Sequence, residues 1–333
     1  MIANKPRDAL LIGAGNIGAL YDVNGNPDSI AHTHLSALAK CKKIDWIDVV
    51  ETDAVTLQKI KKKAKVRYCF SSLEDLEAHP TEYQIVCIAT PSDTHFSVLK
   101  TLHKSSIVVG HVLCEKPLFS KLSEFQTQVS EIRAMKFPLT VNYPRSWSPD
   151  NINLIDNAAR HNLGAFTSGI ASYGKGLKNN GSHMINLLMQ IFDGVPEITY
   201  VSKSSIDGIN GDRTISFGLL INHSEVMVTA TSSSSFSMFE VDLRFERGRV
   251  ILTDGGRKIE YYFPVPDPDF EGYHLLQKKS SKKTDLSAAM ERVINTVVSS
   301  SESLNFEQAV TTAATYFDIE AKFEQAERAN HYV

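Results

Sequence analysis

Apolar runs and helical repeats alternate through the first third of the chain. Leu10–Gly13 ends an unbroken apolar run and predicts a first buried strand. His32–Lys40 has helical spacing, Trp46–Val50 reads as a second strand, and Ala54–Ala64 as a helix. Arg67–Phe70 is a short extended segment, and Leu73–Ala78 a short helix behind the cap-like Ser71-Ser72. Gln84–Ala89 is continuously apolar, as parallel strands buried on both faces are. Asp93–Lys104 is helical, Ile107–Val109 and Val112–Cys114 are extended, and Leu139–Asn142 predicts a last strand. This alternation predicts a doubly wound parallel sheet. A proline-bounded connection, Tyr143–Pro149, then places a domain boundary, with one domain over 1–143 and a second over 144–333.

The pattern changes after that boundary. Asn151–Asn162 is a polar-rich helix, Ala165–Tyr173 a strand, and Gly174–His183 a long glycine-rich turn. His183–Phe192 is an apolar helix. From Ile198 to Val265 strands dominate, and Phe239–Phe245, Arg249–Leu252 and Lys258–Phe263 alternate apolar with polar. Arg247-Gly248 and Asp254-Gly255-Gly256 supply hairpin turns. Ser232–Ser235 reads as a loop or exposed strand. Thr284–Ser299 and Asn305–Arg328 are helices, the second with Asn305 as its cap. The second domain is thus α+β, with a large, mostly antiparallel open sheet flanked by helices. One face of such a sheet is free to meet a partner subunit, so a homodimer or homotetramer is expected.

Composition narrows the partners. The chain has 333 residues, 42% hydrophobic and 22% charged, which suits a globular protein with two cores. Its net charge of −3 argues against nucleic acid or an anionic membrane surface, both of which want a basic face. The one basic cluster, Lys59–Lys65, reads as a solvated helix face. Cys41, Cys69, Cys87 and Cys114 have no C-x-x-C spacing, and no metal site is expected. Dispersed thiols and the absence of a leader pattern lead us to expect the cytoplasm.

The chemistry gathers first at Gly13-Ala14-Gly15-Asn16-Ile17-Gly18, a G-x-G-x-x-G turn directly after the first strand. Gly13 makes the tight turn, Gly15 lets a diphosphate approach the main chain, and Gly18 lets the following helix sit close on the sheet. The amides and dipole of that helix start favour a diphosphate. Glu51 ends the second strand, where an acid accepts the hydroxyls of an adenosine ribose. The usual interval is about 20 residues. Glu51 lies 33 positions beyond Gly18, so an insertion is required, and Tyr21–Ala31 supplies it. A carboxylate at Glu51, with no Arg or Lys before Lys59, would repel a 2′-phosphate and selects NAD over NADP.

Three further segments lie at positions where ligands bind such sheets, the carboxyl ends of the strands. Thr90-Pro91, with His95 behind them, either face the nicotinamide half of the cofactor or form a plain turn. Glu115-Lys116-Pro117 either aims a lysine at cofactor and substrate or is a charged surface turn. His183, at the head of its helix, is either a proton acceptor held neutral by the helix dipole or a packing histidine.

The order GAGNIG, IATPSDTH, CEKPL, NYPRSW and G-S-H, followed by a large antiparallel sheet, resembles the glucose–fructose oxidoreductase, inositol dehydrogenase and rhizopine-catabolism (Gfo/Idh/MocA) family over nearly the whole chain. The resemblance implies a Rossmann domain that binds NAD(P) and a second, substrate-binding and oligomerising domain. It implies Lys116 beside substrate and nicotinamide, and His183 exchanging a proton with the reacting hydroxyl. Tyr143, Arg145 and Asn179 would join them around the substrate. Two positions depart from the family: its usual Asp four residues before the histidine is Asn179, and another three residues after it is Asn186. An amide can hold a hydroxyl but is no base. The expected function is NAD-dependent oxidation or reduction of a secondary hydroxyl or ketone of a sugar, sugar nucleotide or cyclitol, in class 1.1.1. The two asparagines keep open a non-catalytic NAD-binding regulator, and a lyase or epimerase that oxidises and re-reduces within one cycle.

Overall fold

Six parallel strands build the first sheet of the computed structural model, which describes residues 7–26, 29–77, 82–206, 208, 211–232 and 236–330. They are β1 (Asp8–Ile12), β2 (Trp46–Val50), β3 (Val66–Phe70), β5 (Ile85–Ile88), β7 (Val112–Glu115) and β8 (Leu139–Asn142); β4 (Glu82–Tyr83) and β6 (Val108–Val109) lie outside this sheet. The order is β3-β2-β1-β5-β7-β8, and β4 pairs separately with β6. This is the doubly wound order, with its switch point between β1 and β5. Every residue of β5, β7 and β8 is buried, which is why those runs lack polar alternation.

The helices of this unit include α1 (His34–Lys40), α2 (Ala54–Ile60), α3 (Leu73–Glu77), α4 (His95–Lys104) and α5 (Leu122–Arg133). The first departs from expectation. No α-helix follows the glycine turn directly: residues 16–19 form turns and Leu20–Asp22 a 3₁₀ turn. Yet the helix is continuous in hydrogen bonding. Ala19 N donates to Gly15 O at 2.9 Å; then His34 N donates to Ile17 O at 3.1 Å and Leu35 N to Gly18 O at 2.9 Å. The segment between is an excursion spliced out of one helix. Asp22 closes its neck by accepting from His32 N (2.7 Å) and Thr33 N (2.8 Å), and Thr33 Oγ1 caps α1 through Ser36 N. The long interval from Gly18 to Glu51 follows from this splice. Pro27 and Asp28, within the predicted insertion, lie outside the described residues.

The second unit begins with α6 (Pro149–Ile152) and α7 (Leu154–Arg160), where one helix over 151–162 was predicted; Asn153, at φ −90° and ψ 30°, breaks it. After β9 (Phe166–Tyr173), a π-helical turn (Gly176–Gly181) runs straight into α8 (Ser182–Ile191). An eight-stranded sheet then forms from β9 with β10 (Pro196–Ile206), β11 (Arg213–Ile221), β12 (Ser224–Ala230), β13 (Phe239–Phe245), β14 (Gly248–Thr253), β15 (Lys258–Pro266) and β16 (His274–Lys283). Its order is β10-β11-β12-β9-β13-β14-β15-β16, antiparallel except for β12 with β9. The strict burial alternation of β13 and β14 matches their sequence pattern. Ser233–Ser235 of the predicted serine loop, like Ala78 at the end of the predicted short helix, lie outside the described residues.

The two compact units are residues up to Trp147 with Ser287–Val310, and Ser148–Leu286 with the chain from Thr311. The boundary expected at 143/144 falls between Trp147 and Ser148, and α9 (Ala289–Val297) returns to the first unit. Its buried Met290, Val293, Ile294 and Val297 fall at helical spacing and join the core of Leu35, Leu38 and Ile47. Beyond it the chain covers the free edge of β8. Leu139 N donates to Ser303 Oγ, and the Asn305 side chain both accepts from Val141 N and donates to Val141 O, each at 2.8 Å. Asn305 was expected to cap α10 (Phe306–Asn330); its amide instead pairs with the strand edge, where a buried donor and acceptor needed partners.

His111, at the start of β7, is locked into this region by Thr140 Oγ1 (2.8 Å) and Ser300 O (3.3 Å). Burial pushes its pKa down to about 4, and the Ser300 carbonyl offsets only part of that. The unfolded value is about 6.5. Between the two, the unfolded chain binds a proton that the native chain does not, so stability falls as pH drops through this window. The urea midpoint of a His111→Gln protein should fall less steeply between pH 6.5 and 4 than that of the wild type; equal slopes would rule His111 out as a cause.

Candidate functional site

The three glycines after β1 have different reasons to be glycine. Gly13 sits at φ +88°, and a Cβ there would lie 2.8 Å from the main chain of Ala89 and Thr90. A Cβ on Gly18 would lie 2.3 Å from Gly13 O. Both are demanded by the protein's own packing. Gly15 is not: nothing lies within 4 Å of the place its Cβ would occupy. The open space over this main chain fits a diphosphate that must approach closely. Asn16 beside it is exposed, and Ile17 is half-buried against the core. The splice limits the dipole argument, because only one turn of helix follows before the excursion.

Glu51 reaches across this turn. Its Oε2 accepts from Ala14 N at 2.7 Å and its Oε1 from Asp53 N at 2.9 Å. The strand-end acid and the glycine turn are thus joined by a hydrogen bond. Asp53 is instead the cap of α2, accepting from Val55 N, Thr56 N and Thr56 Oγ1.

Beside the switch point, the turns that follow β5 and β7 are braced together. His95 is 1% exposed, with Nε2 at 2.9 Å from Thr90 O and Nδ1 at 3.0 Å from Pro117 O. Burial lowers its pKa, against the pull of both carbonyls. Both ring nitrogens are thus occupied by main chain, so His95 acts as a strut between the two turns, where a cofactor contact was expected. Thr90 Oγ1 accepts from Thr94 Oγ1, and Pro91 is exposed.

Glu115 ends β7 buried. His34 Nε2 lies 2.8 Å and Asn142 Nδ2 2.7 Å from the same oxygen, Oε1. Burial pushes its carboxyl up, but the hydrogen bonds of His34 and Asn142 and the charges of His34 and Lys116 more than offset it, so Glu115 stays ionised below the usual range. Lys116 follows, half-buried at the strand end, before a cis peptide to Pro117. Tyr143 is 1% exposed, and Arg145 is half-buried in the 3₁₀ turn Pro144–Trp147.

In the second unit Asn179 and His183 stand four residues apart on one continuous helical run. The backbone is right-handed helical through Gly181 and Ser182, so the run begins at Gly176 and not at His183. The sequence reading placed His183 in a first turn and invoked the dipole to keep it neutral. The π-turn moves the positive end seven residues upstream, from His183 to Gly176, and that argument falls away. The group that meets that end is Asp212, which sequence reasoning missed. Its two carboxylate oxygens accept from Lys178 N (3.1 Å) and Asn179 N (3.0 Å). Burial raises the Asp212 pKa, with the two amides pulling the other way. Asn179 donates to Lys175 O, and Asn186 is buried and donates to Thr312 Oγ1. No sequence signal marks Asp212, because it acts through main-chain amides far from it in the chain. His34 was legible only as a histidine among apolar helix positions.

Among the described residues no group of three or more His, Cys, Asp and Glu could hold a metal ion, and no helix is long and apolar enough to cross a membrane. Residues 8–143 match the GFO_IDH_MocA family, described as an oxidoreductase family with an NAD-binding Rossmann fold. Over residues 8–143 the chain is thus similar to the NAD-binding Rossmann domain of that family. No curated protein sequence matches the chain. Among solved structures, KijD10, a 3-ketoreductase from Actinomadura kijaniata in complex with NADP, is 14% identical with a TM-score of 0.72, covering 96% of this chain and 98% of that one. An oxidoreductase from Agrobacterium radiobacter in complex with NAD+, L-tartaric acid and magnesium is 16% identical with a TM-score of 0.68, covering 97% and 96%. The UDP-N-acetylglucosamine 3-dehydrogenase GnnA from Acidithiobacillus ferrooxidans is 14% identical with a TM-score of 0.63, covering 95% and 97%. At these identities the likeness is one of fold, and it extends over both units.

The glycines separate fold from binding. Gly15→Ala should fold with a melting temperature within about 3 °C of wild type and weaken NADH binding at least about tenfold by fluorescence titration. Gly18→Ala should destabilise the protein outright. Unchanged NADH affinity in Gly15→Ala would remove the diphosphate from this turn.

Proposed function

We propose that the protein is an NAD-dependent oxidoreductase acting on a secondary hydroxyl or ketone of a sugar, sugar nucleotide or cyclitol. The observation that carries this reading is the open main chain at Gly15 with the Glu51 carboxylate across the same turn. A dinucleotide would lay its diphosphate on Gly13–Gly18 and its adenosine ribose on Glu51, whose charge disfavours a 2′-phosphate and so favours NAD. The nicotinamide supplies the hydride chemistry when bound.

The chain's own residues supply orientation and proton handling. Lys116 is a point charge at the end of a buried strand, suited to orient a polar oxygen and steady its developing charge. His183 supplies the imidazole that takes or returns the hydroxyl proton. Asn179, one turn away, can hold a neighbouring hydroxyl through its amide without competing for the proton. Tyr143 and Arg145 complete the proposed substrate contacts.

Lys116→Ala and His183→Ala should both bind NADH with near wild-type affinity and lose at least about 100-fold in turnover. Turnover is followed at the reduced-nicotinamide absorbance band across a panel of sugars, nucleotide sugars and cyclitols. Near-normal rates in both variants would remove the assigned roles. Tightly held cofactor with substrate conversion and no net absorbance change would favour an internal oxidation and re-reduction. Binding with no conversion of any substrate would favour a regulator.

A further inference from the structure

His34 has no part in the function described above, yet it is fully buried and joins two of its parts. Its main-chain N–H donates to Ile17 O, within the glycine turn. Its ring Nε2 lies 2.8 Å from Glu115 Oε1, on the residue before Lys116. Asn142 Nδ2 donates to the same oxygen from the end of β8. One residue thus ties the spliced helix, the turn that would receive the diphosphate and the strand end that carries Lys116.

We infer that His34 is a positioning residue: it fixes the Glu115 carboxylate and thereby couples the glycine turn to the Glu115-Lys116 strand end, so that cofactor affinity depends on its ring. The physical ground is that a buried carboxylate needs its donors. Removing one leaves a buried charge under-satisfied, and the strand end must shift or take in water. Asn142 alone supplies a single neutral donor to Oε1. This inference rests on the NAD-dependent reading of the site.

The test is a cycle of NADH titrations on the full chain, read by fluorescence, with wild type, His34→Ala, His34→Gln, Glu115→Gln and the double variant His34→Ala/Glu115→Gln. His34→Ala should weaken NADH about tenfold, as loss of one charge-assisted hydrogen bond would. His34→Gln, which keeps a donor at the same reach, should recover affinity to within about threefold of wild type. In the Glu115→Gln background the carboxylate that His34 serves is gone, so adding His34→Ala should change affinity by less than about twofold. This arm stands even if His34→Ala alone does not fold. Wild-type affinity in His34→Ala, no recovery in His34→Gln, or independent effects in the double variant would each overturn the coupling. A wild-type protein that binds no NADH would instead sink the functional reading itself.

Discussion

At the end of β1, main chain packs on main chain. Gly13 turns against Ala89 and Thr90, and Gly18 lies against Gly13 O, both at distances that no side chain permits. This contact draws the ends of β1 and β5 together at the switch point of the sheet. It also leaves the carbonyls of Ile17 and Gly18 facing along a helix axis, where His34 N and Leu35 N meet them. The excursion between is tolerated because its neck is closed by Asp22 and because extra loop length adds little closure cost, only about 0.6 kcal/mol per doubling. The ring of His34 then falls beside Glu115, and the open face at Gly15 remains for a ligand. Each later feature of the first unit depends on the bare backbone at the start.

Two buried carboxylates in this unit show how position decides role. Asp48 lies mid-strand in β2, 1% exposed, with Arg67 Nε and Nη2 at 3.0 and 2.7 Å and Tyr83 Oη at 2.7 Å. The Arg67 pKa is raised, first by its hydrogen bond to Asp48. That carboxylate is fully engaged by bidentate and hydroxyl donors and joins neighbouring elements of the sheet's first half. Glu115 has two donors on one oxygen only and sits at the carboxyl end of β7, the edge where ligands of such sheets bind. Deleting a partner of either leaves a buried charge. At Asp48 the loss would be one of fold; at Glu115 it is also felt at the lysine that follows.

Much of this was legible in the sequence because buried parallel strands carry no polar alternation. Trp46–Val50 and Leu139–Asn142 were placed to the residue, as was the alternation of Phe239–Phe245. The glycine motif and Glu51 were legible as well, since each glycine answers a local steric demand. What escaped has a common cause: hydrogen bonds between residues distant in the chain. The spliced helix reads as a broken one until Gly18 O is seen accepting from Leu35 N. Asn305 looks like a cap until its amide is found on Val141. The π-turn at Gly176–Gly181 has no periodicity of its own, and the carboxylate that holds it comes from Asp212 on another element. The return of α9 to the first core is invisible to any local pattern, because its apolar stripe would fit either unit.

The π-turn also bears on the proposed proton transfer in the second unit. An acid at position 179 would compete with the histidine one turn later, but the side chain there is an amide. The nearby acid, Asp212, has both oxygens engaged by the amides of Lys178 and Asn179, so it holds the turn's backbone from behind. Lys178 is paired with Glu320 at 3.0 Å. Of the side chains between Gly174 and His183, only the histidine is of a type that titrates near neutrality in water. With the helical run starting at Gly176, His183 lies beyond its first turn. Under the proposed roles, an amide in place of an acid at Asn179 leaves proton transfer to His183 and fits Asn179 to hold a hydroxyl.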